Sequence, residues 1–309
     1  MSENTSAAAQ VFSSIEAVQE AFARENFIAD RPLALTVMLA ARLEKPILLE
    51  GEAGVGKTEV AKVVARVLNT ELVRLQCYEG LDAQSTIYEW NYAKQILAIR
   101  MAEGASEDRD ALQHSIFSDE FLLPRPLLRA IRDHEGRPVT LLIDEIDRAD
   151  EEFEAFLLEV LSDYQVTVPE IGTFSAKHRP FVVLTSNRTR ELNDALKRRC
   201  LYLWIDYPSH TKEREIVMRK VPGIQQALAD QIATLMHTLR DVDFYKRPGV
   251  AETLDWARAL VGLNVSKVAP MTLEETAGCI LKYKDDIERL KSIGADKLLS
   301  GDVPAGARP

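Results

Sequence analysis

The chain has 309 residues, enough for two domains or for one domain and a satellite, with a full core. Its 46% hydrophobic and 28% charged content is that of an ordinary globular protein, and a net charge of -10 argues against the broad basic face that nonspecific nucleic-acid binding requires. Cys77, Cys200 and Cys279 are odd in number and widely spaced, which fits neither a disulfide framework nor a zinc pair and points to a reducing cytoplasm.

No apolar run reaches the roughly 18 residues that a membrane span needs. Residues 1–10 lack the basic-then-apolar order of a secretion signal and read as a short disordered tail. Over 15–27 and again over 32–43 apolar residues recur at helical spacing, with Asp30 placed to cap the second segment. Residues 46–49 are an apolar strand, and they lead straight into Gly51-Glu52-Ala53-Gly54-Val55-Gly56-Lys57-Thr58, which fits G-x-x-x-x-G-K-[ST]. Three glycines let the backbone curl until successive N–H groups point at phosphate oxygens, and a helix opening at Glu59 offers its positive end to the same anion. Gly51 through Glu59 are therefore assigned to a bound nucleotide. Lys57 neutralises its β- and γ-phosphates, and Thr58 ligates Mg2+.

Residues 71–76 read as a second strand, and 81–103 as irregular helix carrying Tyr88, Trp90 and Tyr92, aromatics that ordinary core packing explains as well as a contact surface does. A polar loop is predicted over 102–110 and a helix restarted at Pro126 over 121–134. The apolar strand 139–143 follows, then an amphipathic helix over 149–161, and a hairpin of 164–168 and 171–174 around Pro169-Glu170. Strands at 181–185 and 200–205 complete the set. Beyond Tyr207-Pro208 only helical patterns appear, at 209–220, 224–239, 251–260 and 273–293. The predicted fold is α/β, a doubly wound parallel five-stranded sheet followed by a small all-helical lid. Its divisions are a tail over 1–10, an α/β nucleotide-binding domain over 11–207 with an insertion near 77–105 and a hairpin at 164–174, a lid over 208–300, and a flexible tail over 301–309.

A phosphate loop does not by itself distinguish a kinase from a GTPase or a molecular machine. The strand Leu141-Leu142-Ile143 ends in Asp144 and Glu145, which places Asp144 at the sheet's carboxyl edge near the Mg2+ and Glu145 where it can polarise an attacking water. An acidic helix start is the plainer alternative. Asn187 ends the strand 181–185 and can orient the same water, the role called sensor 1, although asparagine at a strand end also forms turns. In Asn193-Asp194-Ala195-Leu196-Lys197-Arg198-Arg199-Cys200 a cationic cluster precedes a strand in an acidic chain. Either it is a solvated basic face or it holds an arginine finger for a neighbour's site, with Arg199 the first choice and Arg198 the second.

The order GEAGVGKT, LLIDEID, LTSN and ALKRRC, with a hairpin before the asparagine strand and a helical lid, resembles the MoxR-type AAA+ ATPases. The strings RLQCYEGLD, YEWNY, DEIDRADEEFEAFLLEVL and RRCLYLWIDYP make it similar to their CoxD-like branch, associated with maturation of molybdenum-containing carbon monoxide dehydrogenase and related enzymes. The resemblance covers about 15–260. It implies a P-loop AAA+ fold, a cytoplasmic homo-oligomeric ring, usually a hexamer, and ATP at subunit interfaces. It also implies that Asp144 and Glu145 act in cis and Arg199 in trans, with a von Willebrand factor A domain partner and a metalloenzyme client. The family places an arginine, sensor 2, where Val250-Ala251-Glu252 stand here; Lys246, Arg247 and Arg258 are the nearby alternatives. Two other readings remain at this stage: a nucleotide-dependent scaffold for the von Willebrand domain partner, and a nucleic-acid-linked motor, which the charge disfavours.

Overall fold

The structure, a computed structural model, describes residues 6–103, 116–132 and 138–302. The predicted loop over 102–110 and tail over 301–309 lie largely outside them. By its contacts the chain forms two compact units. One comprises Met1–Ala21, Ala29–Glu50 and Thr58–Trp204, the other Phe22–Ile28, Gly51–Lys57 and Ile205–Pro309. Two segments upstream of 207, one of them the phosphate loop, thus group with the helical residues.

In the first unit the predicted tail gives way to a helix, α1 (Ala7–Val11), whose first turn is capped by the Ser6 hydroxyl accepting from the Ala9 amide. Helices α2 (Ile15–Arg24), whose residues from Phe22 on group with the other unit, and α3 (Arg31–Leu43) follow. Asp30 caps α3 through the Leu33 amide, and Leu33, Ala34, Val37 and Met38 line its buried face. Strand β1 (Ile47–Glu50) is buried throughout, and α4 (Lys57–Leu68) follows the phosphate loop. Next come β2 (Leu72–Gln76), β5 (Thr140–Asp144), β8 (Phe181–Ser186) and β9 (Leu201–Trp204) of the main sheet. The strand order is β2-β5-β8-β1-β9, every pairing parallel. The three central strands are buried along their whole length and the edge strands β2 and β9 alternate, as expected of a sheet covered on both faces. This is the doubly wound P-loop AAA+ fold.

Two elements differ from the sequence reading. The expected irregular helix over 81–103 is α5 (Ala83–Ile87), strand β3 (Tyr88–Trp90) and α6 (Tyr92–Glu103). The expected helix start near 121 is strand β4 (Leu122–Pro124), antiparallel to β3, before α7 (Pro126–Ile131). Tyr88 and Trp90 point to one buried face and meet edge to face at 5.7 Å, a spacing of two that suits a strand, whereas Tyr92 is 65% exposed. A 3₁₀ turn (Ile146–Arg148), α8 (Glu151–Asp163), the hairpin β6 (Gln165–Val168) with β7 (Gly172–Ser175), and α9 (Asp194–Arg199) complete the unit.

The second unit holds α10 (His210–Lys220), α11 (Gln226–Arg240), α12 (Val250–Gly262), α13 (Pro270–Ile280), α14 (Lys284–Ile293) and α15 (Ala295–Ser300) around a core with Trp256 at its centre. The single helix expected over 273–293 is broken after Ile280. The Lys282 ammonium caps the open carbonyls of Gly278 and Cys279 at 3.1 and 2.9 Å while Leu281 turns inward.

Candidate functional site

The parallel sheet delivers the residues that matter at the carboxyl ends of its strands, where open α/β sheets take their ligands. Asp144, the last residue of β5, is 2% exposed. Its Oδ1 accepts hydrogen bonds from the hydroxyls of Thr58 on α4 at 2.9 Å and Thr185 on β8 at 2.6 Å. Its Oδ2 accepts from Arg74 on β2, from Nε at 3.0 Å and from a terminal nitrogen at 2.5 Å. Glu145 leaves the sheet with left-handed backbone angles, φ 55° and ψ 51°. Its amide donates to Thr185 Oγ1 at 2.9 Å, and its partly exposed carboxylate pairs with Arg148 Nε at 3.0 Å. A non-glycine residue held in that region by its neighbours is local strain of the kind that gathers at functional sites.

Asn187 stands directly beyond β8, partly exposed, and its side chain makes no hydrogen bond among the described residues. Beside it, the buried Ser186 hydroxyl donates to Glu50 Oε1 at 3.2 Å. Arg198 and Arg199 occupy the last turn of α9. Both are exposed, and neither side chain forms a hydrogen bond or ion pair among the described residues.

The phosphate loop is described with the helical unit. Gly51 has a φ of 155°, and a Cβ there would fall 2.1 Å from the Ile205 carbonyl oxygen, so only glycine fits. Lys57 is buried, and its ammonium donates to the carbonyls of Gly51 at 2.6 Å and Glu52 at 2.7 Å. Glu52, Ala53 and Gly54 are exposed, with Val55 and Gly56 partly so. The Gly54 carbonyl accepts from the Val250 amide at 2.9 Å, so the first turn of α12 rests on the loop. Glu59, in the first turn of α4, turns its carboxylate to Arg66 at 3.1 Å and Lys62 at 3.7 Å.

At the sensor 2 position Glu252 closes the start of α12 by accepting from the Gly249 amide at 3.0 Å. Lys246 and Arg247 lie exposed just upstream, and Arg258 pairs with Asp255 at 3.1 Å. A second buried cation of this unit, in addition to Lys57, is Arg240, which no sequence motif marks. It grips Glu213 with two hydrogen bonds of 2.6 and 2.7 Å, donates to the Pro248 carbonyl at 2.9 Å, and lies 4.6 Å from the centre of the Tyr207 ring. Burial first, then the charge of Glu52, pushes the Tyr207 hydroxyl up to about 12 against the pull of Arg240 and Arg247.

Cys77 follows β2 and donates its amide to the Asp144 carbonyl at 2.9 Å. Burial and the neighbouring carboxylates of Asp144, Asp147 and Glu145 push its thiol up to about 12. Arg74, Thr185, Arg148 and Arg240 are the site residues the sequence did not single out. A polar residue followed by an apolar one on an edge strand, as at Arg74-Leu75, is the sole signal that could have marked the first.

The hydroxyl of Thr58 against the carboxylate of Asp144 is an all-oxygen pair. It suits Mg2+, a hard cation that takes one or two protein groups and completes its shell with phosphates and water. Phosphate loop, carboxylate-tipped central strand and sheet order together define a P-loop AAA+ protein. Residues 46–200, half of the chain, match the AAA domain of the dynein-related subfamily, and the chain belongs to that family of nucleotide-hydrolysing proteins, whose members commonly assemble into rings. It is 28% identical over 255 residues to the Staphylococcus haemolyticus protein SH1500, covering 80% of this chain and 88% of that one. Over 265 residues it is 26% identical to the Staphylococcus epidermidis protein SERP0979, covering 83% and 91%. The solved structure of a point mutant of Thermotoga maritima RuvB aligns over 88% of this chain and 72% of its own at 18% identity and a TM-score of 0.47. Among the described residues no helix is long and apolar enough to cross a membrane.

Proposed function

We propose that this chain is a Mg2+-dependent ATPase of the MoxR type, CoxD-like branch, that works as a cytoplasmic homo-oligomeric ring, a hexamer by family analogy, and remodels a metalloenzyme client with a von Willebrand factor A domain partner. The observation that carries the hydrolytic part is the Asp144-Glu145 corner. One carboxylate is fixed by Thr58, Thr185 and Arg74, and the next residue is turned out of the sheet by a left-handed backbone with its amide pinned to the same Thr185. Lys57 and the loop amides bind the phosphates. Thr58 and Asp144 would hold a Mg2+, which would supply charge neutralisation at the phosphates. Glu145, released from Arg148, takes the proton of the attacking water, and Asn187 orients that water. Arg199, or Arg198 beside it, supports the transferred phosphoryl group in the neighbouring subunit. Client and partner rest on the sequence strings alone.

Glu145→Gln keeps the shape and removes the base. It is expected to lower turnover about 10²- to 10⁴-fold while ATP affinity stays within a few-fold of the parent. Steady-state hydrolysis and equilibrium binding of a fluorescent ATP analogue measure the two. Undiminished turnover sinks the assignment of Glu145. Turnover that is negligible in the parent and unstimulated by any von Willebrand domain protein favours a nucleotide-dependent scaffold instead.

A further inference from the structure

Two carboxylates near the site are almost wholly buried without touching it. Asp147, in the 3₁₀ turn after Glu145, is 2% exposed, and Glu154, on α8, is 0% exposed. Burying a charge is costly unless it is paired, so each partner is informative. Asp147 Oδ2 accepts from the amide of Thr189 at 2.9 Å and from its hydroxyl at 2.7 Å, while Oδ1 is buried with no hydrogen-bond partner. Glu154 Oε2 accepts from the Asn193 amide at 2.8 Å, and Oε1 forms an ion pair with Arg190. Arg190 in turn donates through Nε to the Ala149 carbonyl at 2.9 Å. Asn193 caps α9 by accepting from the Ala195 amide at 2.9 Å.

Apart from that cap, every one of these bonds joins the same two stretches of chain. One, 145–154, begins at Glu145. The other, 187–199, begins at Asn187 and ends at Arg198 and Arg199. The contacts at Thr189, Arg190 and Asn193 fall close together, directly ahead of a helix of only six residues. Leu192 and Leu196, 4% and 0% exposed, pack the same segment onto the core that holds Phe153 and Leu157.

We propose that Asp147 and Glu154, with Thr189 and Arg190, are positioning residues that clamp the arginine-bearing segment to the glutamate-bearing one. Resting on the shared-site reading above, this makes the placement of Arg199 toward a neighbour depend on the placement of Glu145 in its own subunit. The orphan Asp147 Oδ1 gives the clamp an unused acceptor, free to take a donor if the Glu145 corner moves.

The test mixes full-length subunits. Arg199→Ala subunits keep their own loop and glutamate but offer no finger. Lys57→Ala subunits keep the finger but lack the phosphate-binding lysine. Mixed rings regain activity if sites are shared. The clamp is then broken only in the finger donor, by Glu154→Gln with Arg190→Ala in the Lys57→Ala chain, which removes both charges together so that neither is left buried alone. Thr189→Val in that chain, at an exposed position, is the milder second variant.

The regained turnover should fall at least tenfold with the first donor and severalfold with the second. In chains with Lys57 intact, the same clamp changes should leave the affinity for a fluorescent ATP analogue within twofold of the parent. A Lys57→Ala donor carrying Arg190→Lys, with Glu154 kept, should recover part of the loss. Donors with a broken clamp that restore activity as fully as plain Lys57→Ala donors overturn the proposal, as does a fall in ATP affinity equal to the fall in turnover, which would mark general loss of structure. No recovery with plain Lys57→Ala donors in rings shown to be mixed overturns the shared site itself, and the clamp with it.

Discussion

Asp144 shows how much of a site a motif leaves unsaid. The carboxylate with Glu145 beside it, and separately the glycines and Lys57 of the loop, were readable because each of the two motifs is a short run whose internal spacing is itself chemical information. Arg74 and Thr185, which fix Asp144, lie 70 and 41 residues from it and reach it only through the strand order β2-β5-β8, which no local pattern encodes. Arg240 was hidden for the same reason: a lone arginine at the end of an amphipathic helix looks solvated until Glu213, 27 residues away, is brought against it. Cysteine reactivity gives a residue-scale prediction. Burial holds Cys77 and Cys200 near 12, so their thiols stay protonated across the ordinary range. The neutral thiol is the form the fold favours. Its contribution to stability is therefore full below the unfolded pKa, near 9, and is lost as pH rises from there toward 12. With iodoacetamide at pH 8, Cys279, which is partly exposed, should be modified first, and Cys77 and Cys200 only on addition of denaturant, as peptide mass analysis would read. Labelling of Cys77 as fast as Cys279 in the folded protein contradicts this.

At the scale of elements the main strands were legible because a sheet buried on both faces demands continuous apolar runs, and 47–49, 141–143 and 181–184 are such runs. The β3–β4 pair was not, since each strand is three residues long and an apolar stretch that short fits helix or strand equally. The start of α12 carries the clearest element-scale prediction. A Cβ on Gly249 would lie 2.9 Å from both the Ala53 carbonyl oxygen and the Gly54 Cα, so backbone must give way. Gly249→Ala should weaken binding of a fluorescent ATP analogue at least tenfold, while the far-ultraviolet circular dichroism spectrum is unchanged, because Gly249 caps α12 from outside the helix with an extended backbone that alanine also adopts. Unaltered affinity would mean that the loop yields without cost.

For the whole molecule, two separate cores were foreseeable from the shift to purely helical periodicity past 207, while the membership of Phe22–Ile28 and Gly51–Lys57 in the helical unit was not, because it depends on packing between stretches some 150 to 200 residues apart. Assembly is the prediction at this scale. With ATP and Glu145→Gln, which on the proposed role of Glu145 should hold ATP unhydrolysed, light scattering should give a mass several whole multiples of 34.7 kDa. Replacing both Arg198 and Arg199 by alanine should shift the population toward the single chain. A mass of one chain at every nucleotide concentration tested would argue against a ring.

The packing of Gly51–Lys57 with the helical unit bears on how this chain can be cut. The loop's two ends are spliced into strand β1 and helix α4, yet its support, Ile205 behind Gly51 and the Val250 amide on Gly54, comes from residues some 150 to 200 positions downstream. A fragment ending at Trp204 would keep the sheet, both acidic residues and every letter of the phosphate motif, and should still fail to retain ATP on a filter. On that outcome the fingerprint of a nucleotide site would be shorter than the smallest piece of polypeptide able to use it.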